Sequence, residues 1–252
     1  MFEVTFEVLL LLMAAGFAAG FIDAVAGGGG LITVPVLLIA GANPVTALAT
    51  NKIQGLFGAA TAAITYARGG HVDLRTQWKP AVIAFFASIG GALLVSELPV
   101  DLIRYALPVL LIGIAVFFAT KKGLNDVDRA RRLSPAVFGA TMVPLCAAYD
   151  GLLGPGAGSF YMLAFVGLAG YGVLKATAHT KLLNFASNAG ALAAFAVVAT
   201  PWWFTGLAMG LAQIAGARVG AGLAQKQGAK VIKPLLVLTT VTLALKLIWD
   251  LL

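Results

Sequence analysis

The feature that most constrains this chain is the length of its stretches without Asp, Glu, Lys or Arg. Such runs extend from Ala24 to Asn51, Leu133 to Tyr149, Gly151 to Leu174 and Leu182 to Ala217. A soluble domain, in which about 25% of residues are charged, does not assemble runs of this length. Here the charged share is 11%, the hydrophobic share 60% and the mean hydropathy +0.96 over 252 residues. That balance excludes a soluble enzyme, a disulfide scaffold and a disordered tail, and places the chain in a lipid bilayer. The single cysteine, Cys146, reads as a small core residue. Glu3 and Glu7 occupy a start without Lys or Arg, so the first apolar segment is expected to be a retained helix and not a signal peptide. The net charge of +7 arises mainly from basic residues in short loops between apolar segments, which argues for orientation in a membrane and against nucleic acid as a partner.

A helix needs about 20 apolar residues to cross a ~30 Å hydrocarbon core. Cutting the chain at charges, prolines and glycine runs gives Val4–Ala26, Leu31–Ala40, Pro44–Ala67, Trp78–Glu97 and Leu102–Thr120 in the first half. The second half gives Ser134–Leu153, Ser159–Ala169, Val173–Ala199, Trp202–Ala224 and Val231–Leu252. Leu31–Ala40 and Ser159–Ala169 have about half the spanning length at 1.5 Å per residue. The halves match in order, so we expect an internal duplication: repeat 1 over 1–122, a basic linker over 123–133 and repeat 2 over 134–252. Asp23 followed by Gly27, Gly28, Gly29 and Gly30 corresponds to Asp150 followed by Gly154, Pro155, Gly156, Ala157 and Gly158. Thr50, Asn51 and Lys52 correspond to His179, Thr180 and Lys181. The expected fold is an all-α polytopic membrane protein, each repeat having four long transmembrane helices and one half-length helix after a glycine-rich break.

Basic loops favour the cytoplasm. Three qualify: Lys121 to Arg132, the stretch with Arg68, Arg75 and Lys79, and the stretch with Lys226, Lys230 and Lys233. Glu3, Glu7, Glu97, Asp101 and the Thr200–Pro201 turn then belong outside. All these assignments hold together if each short segment carries the chain across. Both termini are then periplasmic, and five crossings per repeat invert the second relative to the first. Re-entrant short segments would put Lys226 to Lys233 outside.

Inverted repeats with broken helices are a recurring transporter plan, in which helix ends meet near the midplane and face a solute. The glycine breaks suit it, because the half-length helices begin just after them and their N-terminal N–H groups can face an anion. Gly28, Gly29, Gly30, Gly156 and Gly158 are the candidate contacts; the competing reading is that these glycines only permit tight helix crossing. Neither cluster is a nucleotide loop, since the Gly-Lys-Ser/Thr ending is missing. Lys52 and Lys181 lie about eight residues into long apolar helices, where a charge costs roughly 2.5–3.5 kcal/mol. Thr46, Thr50 and Gln54 share the first helix face, and Thr177, Lys181, Asn184 and Asn188 share the second. With Asn51 and Thr180 these make a polar surface suited to a small oxyanion. The competing reading is that each lysine snorkels to the nearer interface or pairs with the repeat's own aspartate.

Asp23 and Asp150 are candidate lysine partners, candidate protonatable coupling groups, or caps for the N–H groups of a glycine turn. His179 can titrate near neutrality or pack as a hydrogen-bonded helix residue. Arg218, inside the ninth segment, guides anions toward the cytoplasmic mouth, snorkels, or pairs with a carboxylate from another helix. Trp78, Trp202, Trp203 and Trp249 fall at segment ends and read as interfacial anchors. A passive anion channel would use the same basic lining. An enzyme is not expected, because neither a metal-ligand cluster nor a nucleophile with a base at motif spacing is visible, and no cofactor is implied.

The run from Gly20 to Pro35, with Ala49-Thr50-Asn51-Lys52, resembles the TauE/SafE family of sulfite exporter-like membrane permeases. Asp150 to Gly158 and His179-Thr180-Lys181 are similar to that family's second half, so the resemblance covers nearly the whole chain. It implies a secondary transporter, commonly an exporter, for sulfite, sulfoacetate or a related organic anion across the bacterial inner membrane. Pro155 and Ala157 depart from a pure glycine run. A proton or sodium is the expected coupling ion if there is one, and a homo-oligomer is compatible with the composition.

Overall fold

The computed structural model describes residues 3–95, 112–113, 116–120 and 124–249. Every element among them is helical: α1 Phe6–Ala26, α2 Gly30–Ile39, α3 Pro44–Arg68, α4 Leu74–Leu93, α5 Pro135–Leu152, α6 Ala157–Ala164, α7 Val173–Val198, α8 Trp203–Gln227 and α9 Ala229–Trp249. A π turn, Phe165–Ala169, extends α6. Of the segment expected at Leu102–Thr120, only 112–113 and 116–120 lie within the described residues, and these are helical. Glu97, Asp101, Lys121 and Lys122 lie outside them.

Local chemistry sets the helix starts. Thr5, Asn43 and Ser134 accept bonds from the N–H groups of Val8, Thr46 and Val137, and Pro44 and Pro135 occupy first-turn positions where a missing N–H costs nothing. The fourth helix begins at Leu74 and not at Trp78, because Asp73 accepts from the Arg75 N–H and draws the basic residues into the first turns.

Three described helices, α1, α7 and α8, are long and apolar enough to cross a membrane. The 25-residue α3 is equally long. It falls short in apolarity because Thr46, Thr50, Asn51, Lys52 and Gln54 lie along it, all buried in the bundle. Burial is the reverse of a soluble protein's. Lys52 and Lys181 are 0% exposed, whereas Leu11 is 71%, Leu145 65% and Val197 84% exposed. Apolar side chains on this scale require a hydrocarbon solvent. This is a multi-pass membrane protein.

Small residues bring the backbones together. A Cβ on Gly216 would stand 2.0 Å from the Phe17 carbonyl oxygen, and one on Gly151 would stand 2.0 Å from that of Ser88. Glycines at Gly16 and Gly20 face Met209 and Gln213 across the α1–α8 contact, the small-residue crossing common in membranes. Contacts also give the helix directions. Glu3 meets Thr205, Gly16 meets Met209 and Phe21 meets Gly220, so α1 and α8 run the same way. Ile53 meets Gly206 and Thr65 meets Gln225, so α3 runs that way too. By contrast Thr46 bonds to Thr200, at the end of α7, while Gly55 meets Asn188, so α3 and α7 run in opposite directions.

The basic stretches gather at one end of the bundle. Asp126, in the linker, accepts from Leu174 N–H at the start of α7 and from Ala229 N–H at the start of α9. Arg131 lines a cavity with Gln77 and Pro80 of α4. Asp128 accepts from Gly172 N–H and pairs with Lys175. Partial burial acts to raise the Asp128 carboxyl, but the Gly172 N–H and the Lys175 ammonium outweigh it and hold the group below the usual carboxylate range. Glu3, Thr46 and Thr200 collect at the opposite end.

Candidate functional site

Both glycine breaks come to the middle of the bundle and touch. Gly27 has φ +79, a conformation that L side chains rarely adopt, and its missing Cβ would lie 2.9 Å from the Gly158 backbone. Gly30 faces Pro155. α2 and α6 therefore start side by side, from breaks that are far apart in sequence.

Four ionisable groups stand at this junction, Lys52, Asp150 and Lys181 buried and Asp23 partly so, paired across the two halves. Lys52 Nζ donates to Asp150 Oδ1 at 2.7 Å and also to the Asp150 carbonyl. Lys181 Nζ donates to Asp23 Oδ2 at 3.0 Å. Neither lysine snorkels, and neither pairs with the aspartate of its own half. Gly154 makes room for the first pair, since a Cβ there would stand 2.8 Å from Lys52 Nζ. With all four groups ionised the cluster is neutral, the state in which buried charge is tolerable.

The two pairs are unequal. Asp150 also accepts from Asn184 Nδ2 at 3.1 Å and from Ser187 Oγ, so both carboxylate oxygens are held by side chains. Asp23 accepts, besides Lys181, only the Gly29 N–H at 3.2 Å among its described partners. Its side chain is 23% accessible, against 3% for Asp150. Asp23 thus caps its glycine turn, whereas Asp150 is fixed by α7.

Around the pairs lies a cavity of ≈ 30 Å³, enough for about two waters. Both halves line it: Asp23, Gly28, Gly29, Gly30, Asn51 and Gly55 with Asp150, Gly154, Gly158, Asn184, Asn188 and Gln213. Asn184 Oδ1 is buried without a donor among the described residues. Thr33 and Gln54 donate to Asn51 Oδ1, and Gln213 donates to Gln54, which fixes the amides on the α3 and α8 walls.

Most residues singled out from the sequence converge here, but not all. Gly156, with φ +85, shapes the turn before α6 and does not line the cavity. Thr180 is buried with its hydroxyl unpartnered among the described residues and lies outside the lining; Lys52, Gln54 and Lys181 are also outside the lining but bond to residues that form it. His179 lies apart, its Nδ1 bonded to the Lys175 carbonyl at 2.8 Å and its ring packed against Phe165 and Tyr171. Arg218 is exposed on α8 and lines a separate cleft with Arg68. Sequence reasoning overlooked Thr33, Ser187 and Gln213. Ser187 lies one turn from Asn184 on the same face, and Gln213 interrupts an otherwise apolar run, so both carried a readable signal.

A bundle with apolar side chains outward, charges inward and a polar cavity where two broken segments meet defines a membrane transport protein. The chain belongs to the family described as "Sulfite exporter TauE/SafE", whose profile matches residues 12–247. A probable membrane transporter protein ORF9 of Sinorhizobium sp is 51% identical over 248 residues, covering 98% of this chain and 95% of that protein. The probable membrane transporter protein YfcA of Escherichia coli K12 is 42% identical over 250 residues, 99% of this chain and 93% of that one. A probable membrane transporter protein of Haemophilus influenzae is 38% identical over 248 residues, 98% and 97% of the two chains. No solved structure matches significantly. The protein is a membrane transporter of the TauE/SafE family.

Proposed function

We propose that this transporter exports a small oxyanion, sulfite or a short organosulfonate, across the bacterial inner membrane, by alternating access of two inverted halves about the Lys52 and Lys181 junction. The observation that carries the reading is the crossed pairing of Lys52 with Asp150 and Lys181 with Asp23, at the contact of the two breaks. Each pair ties one half to the other, so rocking the halves changes both. The opposite directions of α3 and α7, which hold the equivalent lysines, support inversion. So do the parallel α1 and α3, since α2 must then return the chain. The basic end faces the cytoplasm on this reading.

The anion is received by the lysines and by the N-terminal ends of α2 and α6, whose glycines line the cavity. A cavity of ≈ 30 Å³ holds water-sized occupants, so a sulfonate enters only after the halves part. That closure favours a carrier over a passive channel. Lys181 is the group released first, because it makes one bond, to the accessible Asp23 that water can solvate, whereas Lys52 makes two to the buried Asp150. Since the empty cluster is neutral, the loaded site carries the charge of its cargo. An inside-negative potential then drives a monovalent anion outward with about 2.3 kcal/mol per 100 mV, and neither proton nor sodium is required.

The test is a panel of sulfite, sulfoacetate, sulfate and small carboxylates, followed as efflux from proteoliposomes at potentials set by potassium and valinomycin. Efflux of one anion class that grows as the interior becomes more negative is the expected result. Efflux that ignores potential but follows a proton or sodium gradient would overturn the uncoupled mechanism. Movement of none of these anions would overturn the substrate assignment.

A further inference from the structure

A second basic site lies outside the central junction. The cleft of ≈ 470 Å³ between α3 and α8 is lined by Arg68 and Arg218, with Thr65 and Gln225 beside them and Ile64 and Ile214 as an apolar wall. Among the described residues no carboxylate lines it and neither guanidinium has an ion pair. Both arginines are exposed, yet they face one cleft. Two like charges that line one cleft without a counter-charge call for an anion, and a guanidinium grips phosphate oxygens in bidentate fashion.

The surroundings select the anion. Gln213 touches Gly58 and Gln225 bonds to the Thr65 carbonyl, so α3 and α8 are in register. Arg218 then sits roughly 8–15 Å deeper along the bundle than Arg68, five to ten residues at 1.5 Å per residue. The cleft opens at the end where the basic stretches gather, and Leu211 and Val219 of α8 are exposed close by. A soluble anion finds no use for the apolar wall. A phospholipid fits the whole surface: its phosphate lies between the guanidiniums and its acyl chains run down past Ile64 and Ile214. Basic pockets between membrane helices bind anionic headgroups in this way.

We infer that the Arg68–Arg218 cleft is a binding site for the phosphate headgroup of an anionic phospholipid. It holds α3 and α8 at the membrane surface and is distinct from the transport site. The test compares purified wild type, Arg68→Ala/Arg218→Ala and Arg68→Lys/Arg218→Lys by native mass spectrometry and thermal unfolding. Phosphatidylglycerol, phosphatidylcholine and inorganic phosphate are each added separately. Wild type should retain and be stabilised by phosphatidylglycerol and not by the other two. The alanine pair should bind it roughly 30-fold more weakly, from two basic contacts at the surface. The lysine pair should keep part of the effect, since it preserves charge while losing the fork. Equal stabilisation by inorganic phosphate would overturn the lipid as ligand. Unchanged phosphatidylglycerol binding by the alanine pair would overturn the site.

Discussion

Replacing Lys52 by methionine isolates the energetics of the junction. Lys52 is 0% exposed, and removal of its ammonium leaves Asp150 with Asn184 and Ser187 as donors but no compensating charge. Breaking a buried pair by removing one partner costs about 3–5 kcal/mol. At about 2–4 °C per kcal/mol for a chain of this size, the apparent Tm should fall by roughly 6–20 °C. Lys181→Met should cost roughly half as much or less, because Asp23 reaches the cavity and water can solvate it. Adding Asp150→Asn to Lys52→Met should recover most of the loss, since removing both charges leaves nothing uncompensated. The assay is thermal unfolding in detergent followed by tryptophan fluorescence, with exposed Lys230→Met as the surface control. Lys52→Met melting with the control, or a double variant whose losses simply add, would refute the reasoning.

Asp126→Ala removes the acceptor shared by the first turns of α7 and α9 and should cost roughly 1–4 kcal/mol at about 0.5–2 per cap; faster hydrogen exchange at Leu174 and Ala229 checks it. The Asp128 carboxyl lies below its ordinary value of 3.8, so its contacts with Gly172 and Lys175 stabilise the fold above that pH. They should be lost only as pH falls further, through the folded-state value; exchange protection at Gly172 that first drops between pH 7 and 5 would contradict this. In a Cys146→Ala background, single cysteines at Arg75, Arg131 and Lys230 should react with impermeant maleimide from the cytoplasmic side, and cysteines at Val45 and Thr200 from the other.

How much of this was legible in the sequence depends on the kind of interaction. The short helices stand within a residue or two of where apolar length and glycine placed α2 and the start of α6, because those limits are local. Lys52, Lys181, Asn51 and Asn184 could be read as residues of a polar interior, since a polar side chain on an apolar helix must have an interior partner. Which aspartate meets which lysine could not be read, because it depends on how the halves pack and not on spacing within either. Gln213 and Ser187 escaped because they are uncharged and isolated. Asp126 and Asp128 escaped because, in a linker taken as basic, their bonds to distant helix starts leave no periodic trace. The role of Arg218 stayed open in the sequence between anion guidance, snorkelling and pairing, because the cleft it lines with Arg68 is formed by two helices far apart in the chain.

The central claim is that the two cross-paired lysines receive the transported anion. It is tested most directly by efflux of the anion that wild type carries, measured in proteoliposomes for Lys52→Ala and Lys181→Ala at equal reconstituted protein. Both variants should insert, remain monodisperse and lose efflux. Wild-type efflux by both variants would contradict the account.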